Sequence, residues 1–143
     1  MSSKNVESVR AAHESWNRRD FEGVLRDMAD NLVYNDTTRH MKLNGKQQFR
    51  EWCQAWATAF PDGRIKDVRY TDAGDTVIAE MNFEGTNKGN FAGLPPTGRR
   101  VTMVFCEITR FDNNGRIASG NGYYDLYSIL TQLGHVQPLA VAA

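Results

Sequence analysis

Two runs of strand-like residues, 76–83 and 100–111, flank a glycine- and proline-rich stretch over residues 85–98, and this pairing narrows the choice of fold more than any other feature. The four glycines and two prolines of the stretch turn a backbone sharply and withhold donors from a sheet. The flanking runs therefore predict an antiparallel pair with a long connection. A hairpin needs only about two to five loop residues, so a loop of this length more often carries function than not. A plain long hairpin is the structural alternative.

The first half of the chain has a different period. Over residues 3–19, Val6, Val9, Ala12 (or His13) and Trp16 recur at helical spacing, with Ser2 or Ser3 placed to cap the start. A second helix begins at Asp20, with Phe21, Val24, Leu25 and Met28 on one face, and residues 31–38 read as a short strand opening into a loop. Residues 45–60 predict a third helix with Phe49, Trp52, Cys53 and Trp56 on one stripe, stopped by Pro61-Asp62-Gly63. From Arg64 onward the pattern is strands, at 65–71, 75–84, 99–111 and 116–124, followed by a helix over 126–133 ending at Gly134. Three helices followed by antiparallel strands predict a single α+β domain over residues 1–143, with helices packed on a curved sheet that closes around one pocket.

Composition excludes several functions. Seventeen basic and seventeen acidic residues cancel, so no field draws the protein to nucleic acid or to an anionic membrane. The apolar runs fall short of a membrane span and the N-terminus has no signal-peptide core, which predicts a cytoplasmic protein. Cys53 and Cys106 read as two buried thiols. No metal-ligand cluster, phosphate-cradling loop, dinucleotide fingerprint or nucleophile elbow is present, so neither metal nor cofactor is implied. His13 falls on a helix, His40 in a loop and His135 in the tail, without partners at metal-ligand spacing.

A pocket inside a curved sheet is mostly apolar with a few inward polar groups. Alternation along residues 101–109 puts Val101, Met103, Phe105, Glu107 and Thr109 on one face and Thr102, Val104, Cys106 and Ile108 on the other. Glu107 interrupts the apolar face. A carboxylate there must find a donor, stay protonated, or act as an acid or base with a raised pKa, and an ion pair with Arg110 or Arg69 is the structural alternative. Asp125, beside Tyr123 and Tyr124, is placed to cap the last helix or to serve as a second acid. Asn35 and Asp36 can point into the cavity mouth or form a turn. Asn87 can hydrogen-bond a substrate carbonyl or order the loop that it begins. Glu80 and Asn82 share a polar face opposite Val77, Ala79, Met81 and Phe83. Trp16, Trp52 and Trp56 read as core, with one available to line a pocket wall.

Several of these positions together resemble the SnoaL-like polyketide cyclase and ester cyclase family, which has the NTF2-like fold. They are Gly85-Thr86-Asn87, Gly89, Gly93-Leu94-Pro95-Pro96-Thr97-Gly98, Arg110, Gly115-Arg116-Ile117, Asp125 and Gln132-Leu133-Gly134. The resemblance covers nearly the whole chain. It implies a cofactor-free enzyme that closes a ring by intramolecular aldol chemistry, with a catalytic Asp on the last strand assisted by a His and an Asn. Aligned on these motifs, that Asp falls on Gly122, the His on Glu107 and the Asn on Asn35, so only one of three positions matches. Asp125 matches a second acidic position of the wider family. The expected site is therefore Glu107 as base with Asp125 second, and Asn35, Asn87, Tyr34, Phe105, Trp56 and Tyr124 contacting an apolar, carbonyl-bearing small molecule. The resemblance leaves two alternatives, a cofactor-independent hydroxylase of aromatic polyketides and a non-catalytic ligand-binding or association domain, and it implies a homodimer.

Overall fold

A computed structural model describes residues 3–140. Among these residues four helices and six strands follow in the order α1 (Lys4–Asn17), α2 (Phe21–Leu25), β1 (Met28–Asp36), β2 (Met41–Asn44), α3 (Gly45–Ala59), β3 (Arg64–Asp72), β4 (Thr76–Thr86), β5 (Arg100–Phe111), β6 (Ile117–Tyr124) and α4 (Leu126–Leu133). Ser3 caps α1 by accepting from the Val6 amide, and Asp20 caps α2 by accepting from Gly23. The second helix is only five residues long, because Met28 already belongs to a strand. That strand starts three residues before the sequence pattern suggests. The short strand β2 carries too few residues to show an alternation and was not expected.

The strands form one sheet in the order β2-β1-β6-β5-β4-β3. The long pair β4–β5 runs antiparallel from Thr76↔Arg110 to Thr86↔Arg100, which makes the hairpin of residues 76–111 its longest pairing. One junction departs from the antiparallel expectation, since β1 lies parallel to β6. The sheet is therefore mixed, and it is α3 and the three strands that follow it that carry the chain between these neighbours. Helix α1 packs on β3 and β4 and α3 on β1 and β2, so the helices cover one face of the sheet. Arg19 fastens them together: its guanidinium lies 4.3 Å over the Trp16 ring and donates to the Pro61 and Gly63 carbonyls, both at 2.8 Å.

Strand β5 extends beyond β6, which pairs only with Phe105 to Phe111. Gln132 of α4 completes the free edge, accepting from the Thr102 amide and donating to its carbonyl, both at 2.9 Å. Leu133 beside it is fully buried. The Gln-Leu-Gly motif thus docks the last helix onto the sheet.

The loop over residues 85–98 folds back against α3. Asn87 is 0 % exposed, donates to the Ala59 and Gly89 carbonyls and accepts from the Thr97 amide. Phe91 at its tip is buried against Trp56 and Phe60 at 5.2 and 5.7 Å. Gly89 is required by close approach, since a Cβ there would lie 2.4 Å from the Thr58 carbonyl oxygen. The length of the loop is explained by this packing, and none of its residues lines the interior cavity described next.

Candidate active site

Between the helices and the concave face of the sheet lies a cavity of about 90 Å³. Its walls come from Val9, His13 and Trp16 of α1, Phe49, Trp52, Cys53 and Trp56 of α3, Tyr34 of β1, Met81 and Phe83 of β4, Met103, Phe105, Glu107 and Thr109 of β5, and Gly120 of β6, among others. The parity read along β5 holds, and Glu107 is the one carboxylate among the lining residues. All three tryptophans line the wall, where one was expected.

The partners of Glu107 are not the expected arginines. Its Oε1 lies 2.9 Å from His13 Nε2, and its Oε2 accepts from the Tyr34 hydroxyl at 2.7 Å. The Glu107 and His13 side chains are 14 % and 11 % exposed. Arg110 instead points outward and donates to Asn121, while Arg69 is exposed on β3. On the far side of the ring, His13 Nδ1 meets the Tyr70 hydroxyl at 2.9 Å, with the two rings stacked 5.8 Å apart. An ionised carboxylate only accepts, so Nε2 carries the hydrogen toward Glu107, while Nδ1 and the Tyr70 hydroxyl share the second hydrogen bond. The result is a chain from Tyr70 through His13 to Glu107, joined there by Tyr34.

This arrangement corrects the expected direction of the Glu107 pKa. Burial pushes the carboxyl up, but the hydrogen bond and charge of His13 and the hydrogen bond from Tyr34 outweigh it, and the net shift is below the ordinary value. Burial, followed by the charge of and the hydrogen bond to Glu107, pushes the Tyr34 phenol well above its ordinary value, so it remains a donor.

The glycines of β6 explain how Tyr34 reaches Glu107. A Cβ at Gly122 would stand 2.6 Å from the Tyr34 hydroxyl and 2.8 Å from the Phe105 ring, and one at Gly120 would stand 2.8 Å from the Tyr34 ring. Gly122 is the position where the family resemblance puts an Asp, and it pairs directly with Glu107. The Tyr34 phenol occupies the space that a side chain at 122 would need.

Other expected site residues lie elsewhere. Asn35 alternates away from Tyr34 and does not line the cavity. Asn87 is consumed in ordering the loop. Asp125 is exposed and caps α4 by accepting from the Ser128 amide at 3.0 Å. Tyr124 stacks on Phe105 at 5.3 Å but sits behind the wall, its hydroxyl donating to Asp36 at 2.8 Å. Asp36, 0 % exposed, also accepts from Trp52 Nε1 at 3.0 Å and the Arg39 amide at 3.1 Å, so it braces the wall from behind. Cys53 is buried at the cavity, whereas Cys106 is only half-buried, on the outer face. Of the expected contacts, Glu107, Tyr34, Phe105 and Trp56 converge on the cavity. His13 was missed as a site residue, and its only sequence signal was its place on the apolar face of α1. Among the described residues no group of three His, Cys, Asp or Glu side chains is placed to hold a metal ion, and no helix is long and apolar enough to cross a membrane.

A helix-covered curved sheet around an apolar cavity, with a carboxylate, an imidazole and a phenol joined on its wall, defines a pocket protein of the NTF2-like class. The chain belongs to the SnoaL-like polyketide cyclase family, whose model matches residues 6–133. It is 28 % identical over 120 residues to nogalonic acid methyl ester cyclase of Streptomyces nogalater, covering 78 % of this chain and 87 % of that protein. Among solved structures, a candidate SnoaL-like polyketide cyclase from Jannaschia Sp. CCS1 superposes with a TM-score of 0.85 at 19 % identity, covering 96 % of this chain and 99 % of the other. AclR of Streptomyces galilaeus, a candidate hydroxylase, superposes with a TM-score of 0.81 at 20 % identity over 96 % and 89 % of the two chains. At these identities the structural likeness establishes the fold.

Proposed function

We propose that this protein is a cofactor-free acid–base enzyme that cyclises, or isomerises, a polyketide-like carbonyl compound, with Glu107 as the base. The observation that carries this reading is a single ionised carboxylate on the wall of an apolar cavity, with His13 and Tyr34 donating to its two oxygens. Glu107 removes a proton from the carbon beside a substrate carbonyl. The developing enolate oxygen takes over the Tyr34 O–H or the His13 Nε2–H as Glu107 becomes neutral. In ring closure the enolate carbon attacks a second carbonyl of the same molecule, and Glu107 returns its proton to the new alkoxide. In isomerisation the proton returns to a different carbon. The reaction is redox-neutral and consumes no co-reactant.

The lowered Glu107 pKa bears on the substrate class. A carboxylate held down in this way is fully ionised at neutral pH but is a weak base, so it suits a carbon that is already acidic. A methylene between two carbonyls, as in a polyketide chain, meets that requirement. The same reading makes the protein cytoplasmic, in keeping with its free thiols. It also makes it a homodimer through the outer sheet face, where Val104 and Tyr123 are exposed.

The test is turnover of nogalonic acid methyl ester and simpler aromatic β-keto esters, followed by mass spectrometry and oxygen uptake. Glu107→Gln is expected to lower kcat by about 100-fold or more, the usual worth of a positioned base, with an unchanged fold. Ring closure that persists at the wild-type rate in Glu107→Gln would remove Glu107 from the mechanism. Oxygen uptake with a hydroxylated product would replace the cyclase by the hydroxylase. Tight binding without any product would leave a ligand-binding domain.

A further inference from the structure

Nearly every buried polar group around the cavity has a partner, and the exception lies on the wall itself. Trp52 Nε1 donates to Asp36, the Tyr34 hydroxyl to Glu107 and the Tyr124 hydroxyl to Asp36. Among the described residues, two buried side-chain atoms lack any acceptor or donor, Trp56 Nε1 and Thr37 Oγ1. Thr37 belongs to the turn after β1 and does not border the cavity, whereas Trp56 does. Trp56 is 5 % exposed and held by close ring contacts, Phe91 at 5.2 Å, Tyr124 at 5.3 Å, and Phe60 and Phe83 at 6.0 and 5.7 Å. Amid these rings its Nε1 is buried and has no hydrogen-bond partner. A buried donor left unpaired destabilises the fold, and in a native protein such a group calls for an explanation.

We propose that Trp56 Nε1 is a substrate-positioning donor, whose acceptor is a second oxygen of the bound molecule, distinct from the carbonyl activated beside Glu107. This inference rests on the reading of the cavity as a carbonyl-binding site and refines it. The ligand class becomes a molecule with at least two acceptor oxygens, one served by Tyr34 and His13 and the other by Trp56. A polyketide, with carbonyls spaced along its chain, has that character. Such a contact fixes which of several similar carbonyls is presented to Glu107, because the alternative register leaves the indole N–H unpaired.

The experiment replaces residue 56 by 3-benzothienylalanine, which keeps the bicyclic shape and puts sulfur in place of the N–H, with Trp56→Phe as the second variant. The probes are 1,4-diacetylbenzene and 4-ethylacetophenone, a pair that differs by one carbonyl, titrated by calorimetry. Loss of the N–H is expected to weaken diacetylbenzene relative to 4-ethylacetophenone by roughly three- to tenfold, the net worth of one hydrogen bond. The unliganded benzothienyl protein is expected to melt at or above the wild-type temperature, since it no longer buries an unpaired donor. A group needed only for folding would show the reverse pattern, with a lower melting temperature and an unmoved affinity ratio. That result overturns the inference while leaving the proposed function intact. If neither probe binds the wild-type protein, the carbonyl-site reading falls and takes this inference with it.

Discussion

At Glu107 burial and hydrogen bonding oppose each other, and the two donors win. The consequence for stability follows from the sign. The folded carboxyl holds its proton less tightly than the unfolded one, whose ordinary value is about 4.5. Its contribution is therefore fully present above that value and is lost as pH falls through the lower folded value. Urea midpoints taken from about pH 6 down to about pH 3 should fall less steeply in Glu107→Gln than in wild type; equal slopes would mean that the carboxyl is not held down. A second test lies at Gly122. Gly122→Ala puts a Cβ into the space of the Tyr34 hydroxyl, and overpacking of this kind costs about 1–3 kcal/mol. In a Tyr34→Phe background the closest contact is gone, so the same substitution should cost measurably less by chemical denaturation. Additive costs would show that the two positions do not compete for space.

At the scale of elements, the loop over residues 85–98 repays its length by closing the back of α3. Its tip is a tight turn in which Phe91 and Leu94 exchange both backbone hydrogen bonds, at 3.0 and 2.8 Å. Both central residues, Ala92 and Gly93, have positive φ, 51° and 79°. A turn of that kind prefers Asn-Gly, and alanine is strained there. Ala92→Asn is therefore expected to raise stability by about 0.5–1 kcal/mol, seen as a higher urea midpoint with an unchanged slope. A lower midpoint would mean that the backbone at residue 92 relaxes on substitution. The substitution touches nothing in the cavity, so it separates the loop as scaffold from the loop as site. The helix α4 shows the same economy, with one glutamine side chain standing in for a missing strand along the free edge of β5.

The molecule as a whole leaves one sheet face without helices. Val104, 66 % exposed, stands two residues from Cys106, which pairs with Tyr123, so the exposed apolar residues adjoin in the middle of that face. If copies pair there, Val104→Asp buries a charge in the contact. Size-exclusion chromatography with light scattering should then show a dimer for wild type and a monomer for the variant. A wild-type monomer at all concentrations would remove the homodimer. Net charge is zero over the full sequence, so no long-range repulsion opposes the pairing.

Much of the architecture was legible along the chain, because helical and strand periods are local properties. The stripe of Phe49, Trp52, Cys53 and Trp56, the β4–β5 hairpin, and the inward parity of Glu107 need only neighbouring residues to be read. The parallel contact of β1 with β6 and the short strand β2 were not legible, since a strand's partner is chosen by packing among several candidates rather than by its own pattern. The same holds for the site. Glu107 announces itself as a charge on an apolar face, but His13 and Tyr34 stand 94 and 73 positions away, and nothing in their own surroundings names that carboxylate as their partner. An isolated Glu on an apolar wall is expected to have a raised pKa; two donors delivered by α1 and β1 reverse the direction. Local order came from residue spacing, whereas the chemistry of the cavity depends on distances of about 3 Å between elements, which only the closed fold sets.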